Sequence, residues 1–228
     1  MIAVLVPAHN EARHIGSCLR AIAAAAEHPA MYAGEVEVFV ALDRCTDGTA
    51  AIVAQMGAHA VVPSVPGVGA ARAAAAEAAL RRGADWLAYT DADTRVPRHW
   101  LAAQLACDAE VFCGPVRVGR WSGYCEATRR AFEHWERVHD GHPHVHGANL
   151  GCSGAAYRAA GGMHAQVTGE DVDFVRRAER AGLRIARLAD PCVRTSARRD
   201  ARAPAGFSHF LAALEASVSP AGTPAGPG

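Results

Sequence analysis

Lysine is absent from this 228-residue chain, so its 23 permanently cationic side chains are all arginine, each a bidentate ligand for phosphate or carboxylate. A charge excess is missing as well. The 23 acidic residues balance the arginines, so no global field points to nucleic acid or an anionic membrane, although peripheral membrane contact stays open. No C-x-x-C pair occurs among the seven cysteines, which are odd in number and scattered. That excludes a disulfide framework and a recognisable zinc site, and makes a reducing cytosol the expected compartment. No stretch approaches the ~20 apolar residues of a membrane span. The N-terminal run Ile2 to Val6 is too short for a signal peptide and lacks a basic flank. Internal repeats are absent. What remains, half hydrophobic and one-fifth charged, has the composition of a globular protein able to bury one large core.

Strand and helix signals alternate four times in the first ninety residues. Ile2-Ala3-Val4-Leu5-Val6 is a continuous apolar run, as in a strand buried on both faces, and Pro7-Ala8-His9-Asn10-Glu11 ends it. Ile15, Leu19 and Ile22 form the inward stripe of a helix. Val36 to Leu42 is a second strand, and Thr46 or Asp47 is expected to cap a helix with Ile52, Val53 and Met56 on its apolar side. Val61 and Val62 mark a short third strand. Helix 70–82 follows, ended by Gly83, and Leu87-Ala88-Tyr89 closes a fourth strand. The pattern implies an α/β fold with a mostly parallel sheet flanked by helices on both faces. Such sheets bind ligands outside the carboxyl ends of their strands.

Polar groups stand at those ends. Asp91 and Asp93 are spaced i and i+2, which on an extended chain puts two carboxylates on one face; a hard divalent cation relieves their repulsion. The alternative is a plain turn. Asp43 is placed to accept a proton from a nucleobase, or simply to start a turn, and His9 and Glu11 stand beside it. Gly67-Val68-Gly69-Ala70-Ala71-Arg72 resembles a dinucleotide fingerprint, but arginine ends it and it follows the third strand, which excludes NAD. Arg72 is expected near a helix N-terminus, able to hold phosphate. Glu170 and Asp171 open a later helix, either as first-turn acids facing its dipole or as a general base.

The second half is less patterned. Val111, Cys113, Val116 and Val118 suggest a half-buried strand. Helix 122–139 carries Tyr124, Thr128, Phe132, Trp135 and Val138 as a core stripe. His142, His144 and His146 are spaced i, i+2, i+4 in a Pro-containing loop; that spacing could bind a metal, but without an acidic or cysteine partner pattern the expected reading is a solvated loop. Segment 147–162, rich in small residues, suggests a strand with close backbone approach to a ligand. Cys152 is expected to pack there and not to react. Leu183 to Leu188 is the last strand, a short helix surrounds Phe207, Phe210, Leu211 and Leu214, and the tail 219–228 is expected to be disordered.

Taken together, Val6-Pro7-Ala8-His9-Asn10-Glu11, Asp43 with Thr46-Asp47-Gly48-Thr49, Thr90-Asp91-Ala92-Asp93 and Gly169-Glu170-Asp171 resemble the ordered motifs of family 2 glycosyltransferases of GT-A fold. The resemblance spans Met1 to about Ala216. It implies one domain, 1–218, with a nucleotide-binding half over 1–94 and an acceptor-binding half over 95–218. It also implies a nucleotide-diphosphate-sugar donor, an unknown acceptor, a divalent metal (Mn or Mg) and usually inversion. Residue by residue it implies Pro7, His9 and Glu11 lining the nucleoside pocket and Asp43 on the base. Asp91 would lie near ribose or metal, Asp93 on the metal, and Asp171 would be the base with Glu170 beside it. Arg72 and Arg198 or Arg199 would stabilise the departing diphosphate. The chain lacks Gln-x-x-Arg-Trp, so it does not resemble a processive polysaccharide synthase. Two alternatives are a sugar-phosphate nucleotidyltransferase, which usually has a glycine-rich loop after the first strand, and a non-catalytic nucleotide-sugar-binding module.

Overall fold

A computed structural model of the chain describes residues 1–31, 35–121, 123–199 and 206–218. In chain order the strands are β1 Ile2–Ala8, β2 Val36–Leu42, β3 His59–Val61, β4 Trp86–Tyr89, β5 Val111–Cys113, β6 Val116–Val118, β7 Leu150–Ser153, β8 Ile185–Arg187 and β9 Val193–Thr195. The helices are α1 Ile15–Ala26, α2 Thr49–Gln55, α3 Val68–Arg81, α4 Trp100–Ala106, α5 Glu126–Glu136, α6 Gly154–Ala159, α7 Glu170–Arg180 and α8 Phe207–Val218.

Seven strands form the central sheet in the order β3-β2-β1-β4-β7-β5-β8, and β6 pairs with β9 in a second, two-stranded sheet. Four of the six central pairings are parallel, and β7 is the strand antiparallel to both neighbours. The period of two along the strands sorts side chains into two cores. Ile2, Val4 and Val6 of β1, with Trp86 and Ala88 of β4, face one layer with Ile15, Ile22, Trp100, Phe132 and Leu211. Ala3, Leu5, Leu87 and Tyr89 face the other, against Ala71, Ala75, Ala76 and Ala79 of α3 and Phe174 and Val175 of α7. The alanine face of α3 lets that helix sit close to β1 and β2. Each large side chain such as Leu5, fully buried, contributes ~1.5–3 kcal/mol.

Several local expectations are revised. The third strand ends at Val61, and Val62 is 78% exposed because it has already left the sheet. Helix α2 begins at Thr49 behind Gly48, and Asp47 serves its first turn by accepting from the Thr49 amide at 3.0 Å. Thr46 is drawn off to the Asn10 side chain, with its own amide donating at 2.8 Å. Strand β5 is fully buried between β7 and β8, not half-buried, and the residues after it turn away to form β6. Helix α5 is shorter than 122–139. Residues 147–162 hold a strand and a helix, α4 and β9 were not anticipated, and the tail 219–228 lies outside the described residues.

This topology explains where a site can form. The parallel strands β1, β2 and β4 deliver their carboxyl ends to one edge of the sheet. Because β7 runs the other way, it is the start of β7 that reaches this edge: Leu150 pairs with Tyr89 and Cys113. Loop 142–149 is thereby carried to the carboxyl ends of the first-half strands.

Candidate active site

A cleft of about 950 Å³ opens at this edge. All ten residues singled out as site candidates line it: Pro7, His9, Glu11, Asp43, Arg72, Asp91, Asp93, Glu170, Asp171 and Arg198. Among the described residues, six carboxylates face it against three guanidinium groups, those of Arg44, Arg72 and Arg198.

The first two loops are pinned to each other. Asn10 takes a left-handed backbone, φ 55°, and its Oδ1 accepts from the amides of Thr46 at 2.8 Å and Asp47 at 3.3 Å. An asparagine tolerates that conformation better than most residues. His9 Nδ1 lies 2.6 Å from the Asp43 carbonyl, and the Asp43 carboxylate accepts from the Gly67 amide at 3.1 Å and from Arg44 Nε at 2.9 Å. Burial opposes ionisation of Asp43, but the Arg44 and Gly67 hydrogen bonds outweigh it and hold the carboxyl below the ordinary aspartate range.

Asp91 and Asp93 lie in a turn, closed by Thr94 N–H on the Asp91 carbonyl at 3.0 Å, and not on extended chain. Instead of sharing one face bare, each meets an arginine. Asp91 Oδ1 accepts from Arg72 Nη2 at 2.6 Å, and Asp93 Oδ2 lies 3.4 Å from Arg198 Nη2. Arg198 Nη1 also donates to Glu11, and Arg72 Nη1 to Glu170, so Glu11–Arg198–Asp93 and Asp91–Arg72–Glu170 form two acid–arginine–acid chains. Burial pushes the Asp93 carboxyl up to about 6, with Arg198 pulling the other way and Asp91 and Glu11 adding to the rise. Glu170 is likewise raised, by burial first, against the pull of Arg72.

Arg72 therefore has a different occupation from the one expected. It sits in the second turn of α3, which begins at Val68, and is 4% exposed with both terminal nitrogens taken by carboxylates. It positions two acids rather than standing open at a helix end. Arg199, the alternative to Arg198, points elsewhere: it donates to Glu215 and the Gly123 carbonyl and covers the Tyr124 ring.

At the start of α7, Gly169 adopts φ 75°, a left-handed turn that favours glycine and swings Glu170 and Asp171 to the cleft. Asp171 Oδ2 accepts from the Gly147 amide at 2.6 Å. Gly147 was missed as an individual position. A Cβ there would come within 2.2 Å of the Arg72 guanidinium carbon, so only glycine lets arginine and backbone pass. The close backbone approach expected of this segment is thus an approach to Arg72.

The histidine loop is only partly solvated, with Asp140, Gly141 and Pro143 exposed and the three histidines turned inward. His142 is buried, His146 Nε2 lies 3.1 Å from both oxygens of the buried Glu136, and His144 lies beside them. Glu136 is the acidic partner that sequence spacing did not reveal, since it sits within α5. Burial lowers the His144 imidazole against the opposing pull of Glu136. The aromatic stripe of α5 also divides. Phe132 is buried, whereas Trp135 is 42% exposed and lines the cleft with Phe207 and Phe210.

The acids at β4 fit a divalent cation. The Asp93–Arg198 contact is longer than a hydrogen bond, and Glu11 Oε2, on the same arginine-linked chain, is buried with no partner among the described residues.

A profile of the family described as Glycosyltransferase like family 2 matches residues 1–207. No curated protein matches the sequence. Among solved structures, S. aureus TarS 1–349 in complex with UDP-GlcNAc is similar at 17% identity and TM-score 0.67, covering 95% of this chain and 65% of that one. The chain therefore spans slightly under two thirds of that TarS fragment. Mannosyltransferase PcManGT from Pyrobaculum calidifontis, in complex with GDP-Man and Mn²⁺, is similar at 20% identity and TM-score 0.66, covering 95% and 69%. Glucosyl-3-phosphoglycerate synthase from Mycobacterium tuberculosis, with Mn²⁺, UDP and glucosyl-3-phosphoglycerate, gives 21% and 0.59, covering 96% and 77%. No helix among the described residues is long and apolar enough to cross a membrane.

Proposed function

The chain belongs to the glycosyltransferase-like family 2 and has the GT-A fold of the transferases it resembles, and from that premise we propose that it moves a sugar from a nucleotide-diphosphate sugar to an acceptor hydroxyl, with a divalent metal and inversion at the anomeric carbon. One observation carries this reading. Among the described residues, six carboxylates against three arginines give the cleft an anionic lining, so a diphosphate entering it needs an added countercharge. A nucleotide diphosphate delivered with Mn²⁺ or Mg²⁺ meets that need; a bare anion does not. The complexes of PcManGT with GDP-Man and Mn²⁺ and of TarS with UDP-GlcNAc support the same class of donor.

In this reading Pro7, His9 and Glu11 line the nucleoside pocket and Asp43 accepts from the base, held ready by Gly67 and Arg44. Asp93 and Asp91 hold the metal, Asp91 on the ribose side. When bound, the ion would neutralise charge developing on the departing diphosphate. Arg198, tied to Glu11 and Asp93, supplies the neighbouring positive charge. Arg72 keeps Asp91 and Glu170 in place. Asp171 takes the acceptor proton: the Gly147 N–H orients its carboxylate, and a carboxylate with about four lone-pair sites keeps room for a hydroxyl. Residues 1–94 thus supply the nucleoside and metal contacts and 95–218 the acceptor side, with Arg198 reaching back from the second half to the diphosphate. The seven free cysteines suit a cytoplasmic setting.

Thermal unfolding against a panel of nucleoside diphosphates, with and without Mn²⁺, tests the reading. A specific diphosphate at ~100 times its Kd stabilises by ~2.7 kcal/mol, and only with the metal. No metal-dependent stabilisation by any member, or the same stabilisation in Asp93→Ala, would overturn it.

A further inference from the structure

Away from Asp91 and Asp93, the acceptor side of the cleft carries a second set of ligand-type atoms. Glu136 on α5 and His144 and His146 on the loop before β7 each offer one ligand atom, all within 4.8 Å of one another. Both histidines line the cleft, and Glu136, 2% exposed, lies behind them. We propose that Glu136, His144 and His146 form a second metal site, selective for a borderline divalent ion such as Zn²⁺ and separate from the donor-metal acids.

The geometry favours coordination over a plain ion pair. A directed hydrogen bond prefers one oxygen, yet His146 Nε2 is 3.1 Å from both Glu136 oxygens. In a tetrahedral zinc site with bonds of ~2.0 Å, neighbouring ligand atoms stand roughly 3.3 Å apart, close to that spacing. His144 hydrogen-bonds the Glu136 backbone and stacks on His146 with ring centroids 6.0 Å apart, and its ligand atom would be the third of a two-histidine, one-glutamate set. Outer contacts hold the group. The Val116 amide donates to Glu136 Oε1 at 2.9 Å, Trp135 packs on His144 with ring centroids 4.6 Å apart, and Arg187 Nη1 donates to the His144 carbonyl at 3.3 Å. Ligand type separates the two sites. Imidazoles suit borderline divalent metals such as zinc, whereas the all-oxygen set at Asp91 and Asp93 suits Mn²⁺ or Mg²⁺. Three protein ligands leave a fourth position, and the placement of both imidazoles turns it toward the cleft, where a water or an oxygen of the acceptor would bind.

The test uses the full chain stripped with a chelator and titrated with Zn²⁺ and, separately, Co²⁺, without nucleotide. The expected result is one tight equivalent of Zn²⁺, and visible d–d bands of four-coordinate Co²⁺. His144→Ala should weaken Zn²⁺ binding ~10-fold or more and abolish the bands, because each ligand shell element is worth at least that much. Its thermal unfolding without metal should stay near that of the parent, since His144 is only half-buried. Glu136→Gln, which keeps the carbonyl that accepts from Val116, gives a second variant and should lose the bands too. Asp93→Ala should leave Zn²⁺ binding unchanged. Zn²⁺ affinity unaltered by His144→Ala, or lost in Asp93→Ala, would overturn the second site, and neither outcome bears on donor binding, which is read with nucleotide and Mn²⁺.

Discussion

The two halves of this molecule reach the same cleft by different means. In residues 1–94 the strands β1 and β2 run seven residues each, β4 is fully buried and β3 is a short edge strand; the pairings among them are all parallel, and each loop that follows β1, β2 or β4 feeds the cleft directly. In the second half β5, β6, β8 and β9 are three residues each, and their pairings join distant segments. There the cleft is completed by the segment before an antiparallel strand and by helix starts. The contrast teaches that a parallel α/β half broadcasts its site through strand ends, whereas the other half hides its contribution in topology.

The two halves are stitched by arginines, and breaking a stitch should give the largest effect. Arg72 joins Asp91 in the first half to Glu170 in the second. Arg72→Leu leaves a buried carboxylate uncompensated and is expected to cost ~3–5 kcal/mol, measured by denaturant unfolding. A loss below ~1 kcal/mol would show that the acids do not depend on it.

Gly147→Ala approaches the same stitch from the backbone. The added methyl meets the Arg72 guanidinium, so stability should fall by ~1–3 kcal/mol, as for overpacking. Combining it with Arg72→Leu should restore part of that loss, since the collision disappears; strict additivity would argue that the two are uncoupled.

Within the first half alone, Asp43→Ala removes a charged acceptor from the floor of the proposed nucleoside pocket. Donor affinity should weaken ~10-fold, the scale of one hydrogen bond to a charged group, while the metal requirement persists. Isothermal titration with the preferred nucleoside diphosphate measures both. Smallest of all, Arg199→Ala should leave donor affinity and turnover unchanged, because its side chain is engaged with Glu215 and Gly123 at the surface. A tenfold loss there would move the proposed phosphate contact from Arg198 to Arg199.

The same contrast governs what sequence reasoning reached. The apolar runs of β1, β2 and β4 and the acids behind them are local patterns, and all ten chosen residues do line one cleft. What escaped was long-range. The Arg72–Glu170 and Arg198–Glu11 pairs span 98 and 187 residues, and no periodicity encodes a partner at that distance. Val193-Arg194-Thr195 is too short to announce β9. Glu136 reads as one more polar residue of an amphipathic helix until the turn after α5 brings His146 onto it. Asp91 and Asp93 were found by their spacing, but the turn they occupy, and hence their separate arginine partners, came from the fold.

The central claim is that acids of the first half bind the donor with its metal while Asp171 in the second half acts only on the acceptor. The direct test measures donor affinity with Mn²⁺ and turnover per folded molecule on Asp93→Ala and Asp171→Asn prepared in parallel. Asp93→Ala is expected to lose metal-dependent donor binding. Asp171→Asn, whose side-chain oxygen can still accept from Gly147, should keep donor affinity and melting temperature and lose turnover by ~10² or more. Near-parental turnover in Asp171→Asn, or donor binding lost equally in both variants, would contradict the account.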